Sequence, residues 1–170
     1  MKLRVAVLVV SDRVSRGEMV DRSGPAARGA LEPMADVVQA SVVADEVEEI
    51  RSRLEAWCGA NIDVVLTLGG TGLSPRDVTP EATRRVIDRE VPGLVMALIA
   101  NGLQRTPRAA LSRAIAGQKG RTLIINLPGS PQAVQQSIQF LLPILPHAVE
   151  MMQGKGHERD RPAHAPHASA

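Results

Sequence analysis

Aromatic side chains are almost absent from this sequence: its 170 residues include one tryptophan, one phenylalanine and no tyrosine. Proteins that bind single-stranded nucleic acids stack the bases on aromatic rings, and this chain has almost no such rings to offer. Lysine and arginine are interleaved with aspartate and glutamate along the chain, and the formal net charge is only +2. We therefore expect no nucleic-acid partner.

Cysteine is equally scarce. The single Cys58 excludes an intramolecular disulfide and has no second sulfur nearby with which to form a thiolate metal site. It lies in "LEAWCGA", at the apolar end of a predicted helix, where a buried structural thiol is a better interpretation than a nucleophile.

Long hydrophobic runs are also missing, because no stretch approaches the about 20 apolar residues that a membrane-spanning helix needs. The N-terminal "MKLRVAVLVVSDR" has a positive start and an apolar run, as signal peptides do. The run is short, has no small-residue cleavage site and ends in Ser11 and Asp12, so it predicts a first strand. We expect a cytoplasmic protein with no membrane partner.

The length and the 44% hydrophobic composition suit one compact domain, which we place at residues 1–152. Residues 153–170 are predicted to form a flexible C-terminal tail. This tail holds His157, His164 and His167, but alternating alanine and proline give these histidines no fixed geometry. A flexible terminus is therefore a better interpretation than a metal site.

Short apolar runs alternate with segments of helical periodicity. The predicted strands are Leu3–Val10, Val37–Val43, Ile62–Leu68 and Thr122–Leu127. None shows a clean alternation of apolar and polar residues, which indicates strands buried on both faces. The pattern predicts an α/β fold with three layers: a doubly wound, mostly parallel sheet with helices on both faces. A further apolar helix, at about residues 92–104, is expected to pack under the sheet or against another subunit.

Three helix starts have recognisable signals. Asp45 with Glu48 three residues later fits a capping box, and Thr79 and Ser130 each precede a proline. These patterns predict Asp45, Thr79 and Ser130 as N-caps.

The stretch "LTLGGTGLSPRDVTP" follows the third strand with Gly69, Gly70, Thr71 and Gly72. Glycines at such a turn let backbone N–H groups point at an anion such as a phosphate. The spacing matches neither a P-loop nor the dinucleotide-binding pattern. A purely structural strand-to-loop turn explains the glycines alone equally well.

Two carboxylates are expected at the same edge of the sheet. Asp77 lies in a loop stiffened by prolines, and Asp45 follows the second strand. Asp77 could instead form an Asx turn, and Asp45 could serve only as a cap. Two carboxylates beside an anion-binding turn suit a Mg²⁺–nucleotide site.

Other polar residues should reach the same edge, because ligands of such folds bind beyond the carboxyl ends of the strands. Ser11 and Asp12 end the first strand, and "NLPGSP" opens a helix whose N-terminus favours an anion, although an ordinary turn explains that stretch as well. The two glycine turns can form one continuous site only if their strands are neighbours.

Several motifs occur together and in order: "VSDRVSRGEMVDRSGP", "VADEVEEI", "LTLGGTGLSPRDVTPEAT", "LSRAIAG" and "TLIINLPGSP". From about residue 3 to residue 152 the chain closely resembles the MogA/MoaB family of molybdenum cofactor biosynthesis, which includes bacterial molybdopterin adenylyltransferases and the G domain of gephyrin. The resemblance implies transfer of AMP from Mg·ATP to molybdopterin, a homotrimer, and hand-over of the product to a molybdate-inserting enzyme. Ala44 departs from the proline that is often found there.

The resemblance also implies roles for individual residues. Asp45 and Asp77 match the essential acidic residues and would hold Mg²⁺. The expected ligand-binding residues are Ser11, Asp12, Gly69, Gly70, Thr71, Gly72, Ser74, Ser112, Pro128, Gly129 and Ser130. Two alternatives stay open: a MoaB-type paralogue that binds molybdopterin without catalysis, and a scaffold module.

Overall fold

The computed structural model describes residues 2–154. Residues 155–170, which make up most of the predicted tail and include its three histidines, lie outside the described residues. The strands are β1 (Leu3–Val10), β2 (Ala35–Val43), β3 (Val64–Leu68), β4 (Arg89–Glu90), β5 (Ala116–Lys119) and β6 (Thr122–Leu127). The helices are α1 (Asp12–Ser15), α2 (Ser23–Leu31), α3 (Val47–Cys58), α4 (Thr79–Arg84), α5 (Pro92–Leu103), α6 (Pro131–Leu141) and α7 (Leu145–Met152), with a 3₁₀ helix at Pro107–Leu111.

One six-stranded sheet runs through the described part of the chain in the order β2-β1-β3-β6-β5-β4. Strands β2, β1, β3 and β6 are parallel to one another, whereas β5 pairs antiparallel with both β6 and β4. The central strands β3 and β6 are buried along their whole length, as their unbroken apolar runs predict. The predicted fold class is confirmed.

The period of two along β1 divides its side chains between two cores. Val5, Val7 and Val9 pack with α2, α6 and α7 on one face of the sheet. Ala6, Leu8 and Val10 pack with α3 and α4 on the other face. This arrangement gives the three layers, and it leaves the carboxyl ends of the parallel strands free to build a site.

Two kinds of feature differ from the sequence predictions: two additional strands and two N-caps. Strands β4 and β5 were not expected, because they are short and "AGQK" has no strand pattern. Asp45 and Thr79 are not N-caps: α3 is capped at Glu46 and α4 at Val78, neither with a side-chain hydrogen bond. The third predicted cap is confirmed, because Ser130 Oγ accepts from Ala133 N at 3.3 Å.

The apolar helix α5 has no buried residue. Leu94, Val95 and Leu98 pack against the first core, whereas Met96 is 70% exposed. The helix therefore packs against the sheet through one side, and its contact with another subunit stays a prediction. None of the helices in residues 2–154 combines the length and the apolar character that crossing a membrane requires.

The thiol of Cys58 is half-buried at the end of α3. Burial raises its pKa to about 11, so the thiolate is scarce at neutral pH. This agrees with the interpretation of Cys58 as a structural residue.

Candidate active site

The two glycine turns lie side by side at the carboxyl edge of the sheet. Their strands β3 and β6 are direct neighbours, and Gly69 N donates to Leu127 O at 3.1 Å. A Cβ added to Gly129 would lie 3.2 Å from Gly69 Cα, so the two backbones touch. The two turns could form one continuous site only if their strands were neighbours, and the structure meets this condition.

The first glycine turn is fixed by Thr79. Its Oγ1 donates to Gly69 O at 2.9 Å, and its backbone N–H donates to Gly70 O at 3.1 Å. Gly69 and Gly70 both have positive φ, 101° and 67°, which side chains other than glycine rarely adopt. The buried hydroxyl of Thr79 therefore holds the turn together rather than starting α4.

A cavity of about 710 Å³ opens beside this turn. We call it the first cavity. Asp45 and Asp77 both line it, together with the glycine turns and the segment that follows α1. The predicted site residues among its walls are Ser11, Asp45, Gly69, Gly70, Asp77 and Gly129.

A second cavity, of about 520 Å³, lies on the other side of the Gly129 turn, between α5, α6 and the 3₁₀ helix. The predicted site residues among its walls are Thr71, Gly72, Ser112, Pro128 and Ser130. The glycine loop, which was predicted to act as one unit, is thus divided: Gly69 and Gly70 line the first cavity, and Thr71 and Gly72 line the second.

Asp45 faces other carboxylates at the first cavity. Its Oδ2 accepts from Asp12 N at 2.8 Å, and Asp12 Oδ1 accepts from Asp45 N at 3.0 Å. Burial raises the pKa of the Asp45 carboxyl, and the negative charges of Asp12 and Asp77 raise it further. An aspartate destabilised in its charged form is a candidate for binding a cation.

Asp77 forms a turn, as one of the two interpretations predicted, and it also lines the first cavity. Its Oδ2 accepts from Ser74 N at 3.1 Å, which closes a turn within the loop. The same side chain lines the first cavity, and a Cβ added to Gly72 would lie 2.8 Å from its Oδ2. Ser74, predicted as a ligand-binding residue, lines neither cavity and contributes to this turn instead.

Arg76 was not among the predicted site residues. Its Nε lies 2.9 Å from Asp12 Oδ2, and its Nη2 lies 2.7 Å from Glu46 Oε1. The hydrogen bond from Arg76 lowers the pKa of Asp12, so this carboxylate stays charged and paired. Asp12, predicted as a ligand-binding residue, is occupied by Arg76 and lines neither cavity.

Arg113, which follows Ser112, was also not among the predicted site residues. It hydrogen-bonds three backbone carbonyls of the loop that carries Asp77, namely those of Thr71, Gly72 and Asp77. Its guanidinium also pairs with Glu81 of α4. The motif "LSRAIAG" was the only sequence signal for this residue.

The chemistry of the donors fits Mg²⁺. Carboxylate oxygens are ligands that Mg²⁺ prefers, and a cation would relieve the repulsion that the Asp45 carboxylate experiences from Asp12 and Asp77. Within residues 2–154 no cluster of three or more His, Cys, Asp or Glu side chains is arranged to hold a metal alone. The two aspartates would therefore need phosphate oxygens or water to complete the coordination.

Comparison with known proteins shows which family this chain resembles. The family profile described as "Probable molybdopterin binding domain" matches residues 6–147. Molybdopterin adenylyltransferase of Helicobacter pylori strain J99 is 36% identical over 156 residues, which cover 89% of this chain and 89% of that protein. The crystal structure of the molybdopterin biosynthesis enzyme MoaB from Thermus thermophilus is 49% identical, with a TM-score of 0.84, and the match covers 90% of this chain and 98% of that one.

Longer proteins contain a similar domain. Gephyrin of Dictyostelium discoideum is 40% identical over 162 residues, and the match covers 89% of this chain but only 23% of gephyrin. The chain thus corresponds to one part of that protein. The resemblance inferred from the motifs is confirmed, and the chain belongs to the molybdopterin-binding domain family of molybdenum cofactor biosynthesis.

Proposed function

We propose that this protein is a molybdopterin adenylyltransferase, which transfers AMP from Mg·ATP to the terminal phosphate of molybdopterin. The observation that supports the proposal most directly is the contact between the Gly69 and Gly129 turns, which places an acidic cavity next to a second cavity whose one charged wall residue within residues 2–154 is Arg108. The name of the Helicobacter pylori relative supports the same activity.

In this reaction an oxygen of the molybdopterin phosphate attacks the α-phosphorus of ATP. The bond from the α-phosphorus to the bridging oxygen breaks, and pyrophosphate leaves with the electron pair. The phosphate is already a nucleophile, so no side chain has to form a covalent intermediate. The main task of the protein is to hold the two substrates in line.

The first cavity suits the nucleotide. The backbone at Gly69 and Gly70 can approach the phosphates closely, because neither residue has a side chain. Asp45 and Asp77 would hold Mg²⁺, which neutralises charge on the phosphates when it is bound. Arg76 pairs with Asp12 and Glu46, so its positive charge offsets part of the negative charge of these two carboxylates near the triphosphate.

The second cavity suits the pterin. Ser130 lies at the N-terminus of α6, where the first N–H groups and the helix dipole favour a phosphate. Ser112 and Thr71 add hydroxyl groups, while α5 supplies an apolar wall. The phosphate would then lie near the Gly129 turn, between the pterin and the nucleotide.

The direct test is an AMP-transfer assay with purified protein, ATP and molybdopterin. We expect adenylylated molybdopterin and pyrophosphate only when Mg²⁺ is present. A MoaB-type paralogue without catalysis would bind molybdopterin but form no product, and a scaffold module would not bind ATP in a Mg²⁺-dependent way. Assembly as a homotrimer, a cytoplasmic location and hand-over to a molybdate-inserting enzyme are further parts of this proposal.

Separate titrations of the two substrates test the assignment of the cavities. Gly72→Val should weaken Mg²⁺-dependent ATP binding, because its side chain would displace the Asp77 carboxylate. Ser130→Ala should chiefly weaken molybdopterin, and it should also cost about 0.5–2 kcal/mol of stability because it removes the cap of α6. If both variants weaken ATP alone, the assignment is wrong.

A further inference from the structure

The loop Thr71–Val78, which carries Asp77, has little burial of its own. Leu73 is 65% exposed, and residues 74–76 are exposed as well. The hydrogen bonds within the loop are local, such as that from Asp77 N to Ser74 O at 2.9 Å. A segment with so few apolar contacts needs polar contacts with other elements to keep one conformation.

Arg113 provides such contacts at both ends of the loop. Its backbone N–H donates to Thr71 O at 2.9 Å, and its Nε donates to Gly72 O at 2.7 Å. Its Nη2 donates to Asp77 O at 2.6 Å, while Nη1 pairs with Glu81 at the start of α4. One residue therefore ties the beginning of the loop to the residue that would hold Mg²⁺.

We propose that Arg113 is a positioning residue for Asp77: it clamps the carbonyls at the two ends of the loop and so keeps the Asp77 carboxylate at the first cavity. This role rests on the proposed function. The planar guanidinium offers donors in a fixed fork, which suits acceptors in several directions, whereas a lysine ammonium cannot reach them all. Ser112, the residue before Arg113, lines the second cavity. The same short segment therefore forms part of the second cavity and holds the loop that borders the first.

The position of Glu81 supports a role beyond a simple ion pair. Burial raises the pKa of its carboxyl, but hydrogen bonds from Arg113 and the backbone, together with the positive charges of Arg113 and Arg84, outweigh this effect and the pKa is lowered. Oε2 of Glu81 is nevertheless buried, with no hydrogen-bond partner among residues 2–154. The pair is therefore incompletely satisfied on the glutamate side, whereas Arg113 directs Nε and Nη2 at the loop and only Nη1 at Glu81.

The experiment compares Arg113→Lys with two variants, Glu81→Gln and Arg84→Lys. Arg84 also lies on α4, but it pairs with Glu90 at the surface and contacts no loop carbonyl. We expect Arg113→Lys to lower kcat for AMP transfer by about 10²-fold, as small misplacements at an active site do, and to raise the Mg²⁺ concentration needed for ATP binding. Arg84→Lys should change neither quantity, and Glu81→Gln should change both far less.

Hydrogen exchange of the free protein provides a readout that needs no activity. Amides of residues 71–78 should exchange faster in Arg113→Lys, and the central strands should exchange as in the wild type. Millimolar guanidinium should partly restore Mg²⁺-dependent ATP binding to Arg113→Ala, provided that this variant is folded.

The outcomes separate this proposal from the proposed function. If the wild type transfers no AMP, the proposed function fails, and Arg113 is then judged by loop exchange and by any Mg²⁺-dependent ATP binding. Equal losses in Arg113→Lys and Glu81→Gln would overturn the proposal, because the ion pair alone would then explain the effect. Unchanged exchange in residues 71–78 would overturn it as well.

Discussion

Asp77→Asn is expected to lower AMP transfer by on the order of 10²-fold or more, while the fold and the melting temperature stay close to those of the wild type. Asp77 is half-buried in a loop outside both hydrophobic cores. Asparagine has the same size, and its amide oxygen can still accept from Ser74 N, so the turn should survive. What is lost is the negative charge that would hold Mg²⁺ at the first cavity.

The measurement is turnover with ATP and molybdopterin at saturating Mg²⁺, together with a thermal melt of each protein. Asp36→Asn is a matched control, because Asp36 lies near the opposite end of β2 and, within residues 2–154, its side chain makes only an exposed 3.6 Å pair with Lys2. Such a pair contributes about 0–1 kcal/mol, so this variant should behave like the wild type in both assays. Near-normal turnover of Asp77→Asn would exclude Asp77 as a ligand of an essential metal.

The sequence predicts the central part of the fold closely, for a physical reason. Strands β1 and β6 begin and end where the apolar runs do, because a parallel strand covered on both faces must be apolar along its length. Strands β4 and β5 could not be predicted in this way. "RE" and "AGQK" carry no periodic pattern, and they pair only because the chain returns beside β6.

The two wrong caps have a common cause. Asp45 and Thr79 have the right residue types and spacing, but each is engaged by a partner far along the chain. Asp45 accepts from the N–H of Asp12, and Thr79 donates to the carbonyl of Gly69. Cap propensity is a local preference, and here contacts between strand ends and turns override it.

The residues of the candidate site could be predicted from the sequence, but their distribution between two cavities could not. Residue types and spacing place the glycine turns and both aspartates at one edge of the sheet. Only the strand order shows that β3 and β6 are neighbours, and only the loop conformation sends Gly70 and Gly72 to different cavities. Arg76 and Arg113 were not among the predicted site residues, because their roles depend on hydrogen-bond acceptors that lie on other segments of the chain.

Asp45→Asn is expected to abolish AMP transfer and, at neutral pH, to raise the melting temperature. The cap interpretation predicts the opposite change in stability, a loss of about 0.5–2 kcal/mol. In the structure Asp45 makes no cap contact, and burial together with the charges of Asp12 and Asp77 raises the pKa of its carboxyl. Asparagine removes the unfavourable charge, and its amide oxygen can still accept from Asp12 N.

The pH dependence identifies the cause of this gain. Below the ordinary pKa of an aspartate, Asp45 is protonated in both the folded and the unfolded chain, so wild type and variant should melt alike. As pH rises, the unfolded chain loses this proton first, and the wild type loses stability relative to the variant until the raised folded pKa is passed. The difference should then stay constant, and adding Mg²⁺ with ATP should reduce it, because only the wild type binds them well. A melting temperature of Asp45→Asn below that of the wild type at neutral pH would show that Asp45 stabilises the fold. The proposed destabilisation by its buried charge would then be refuted.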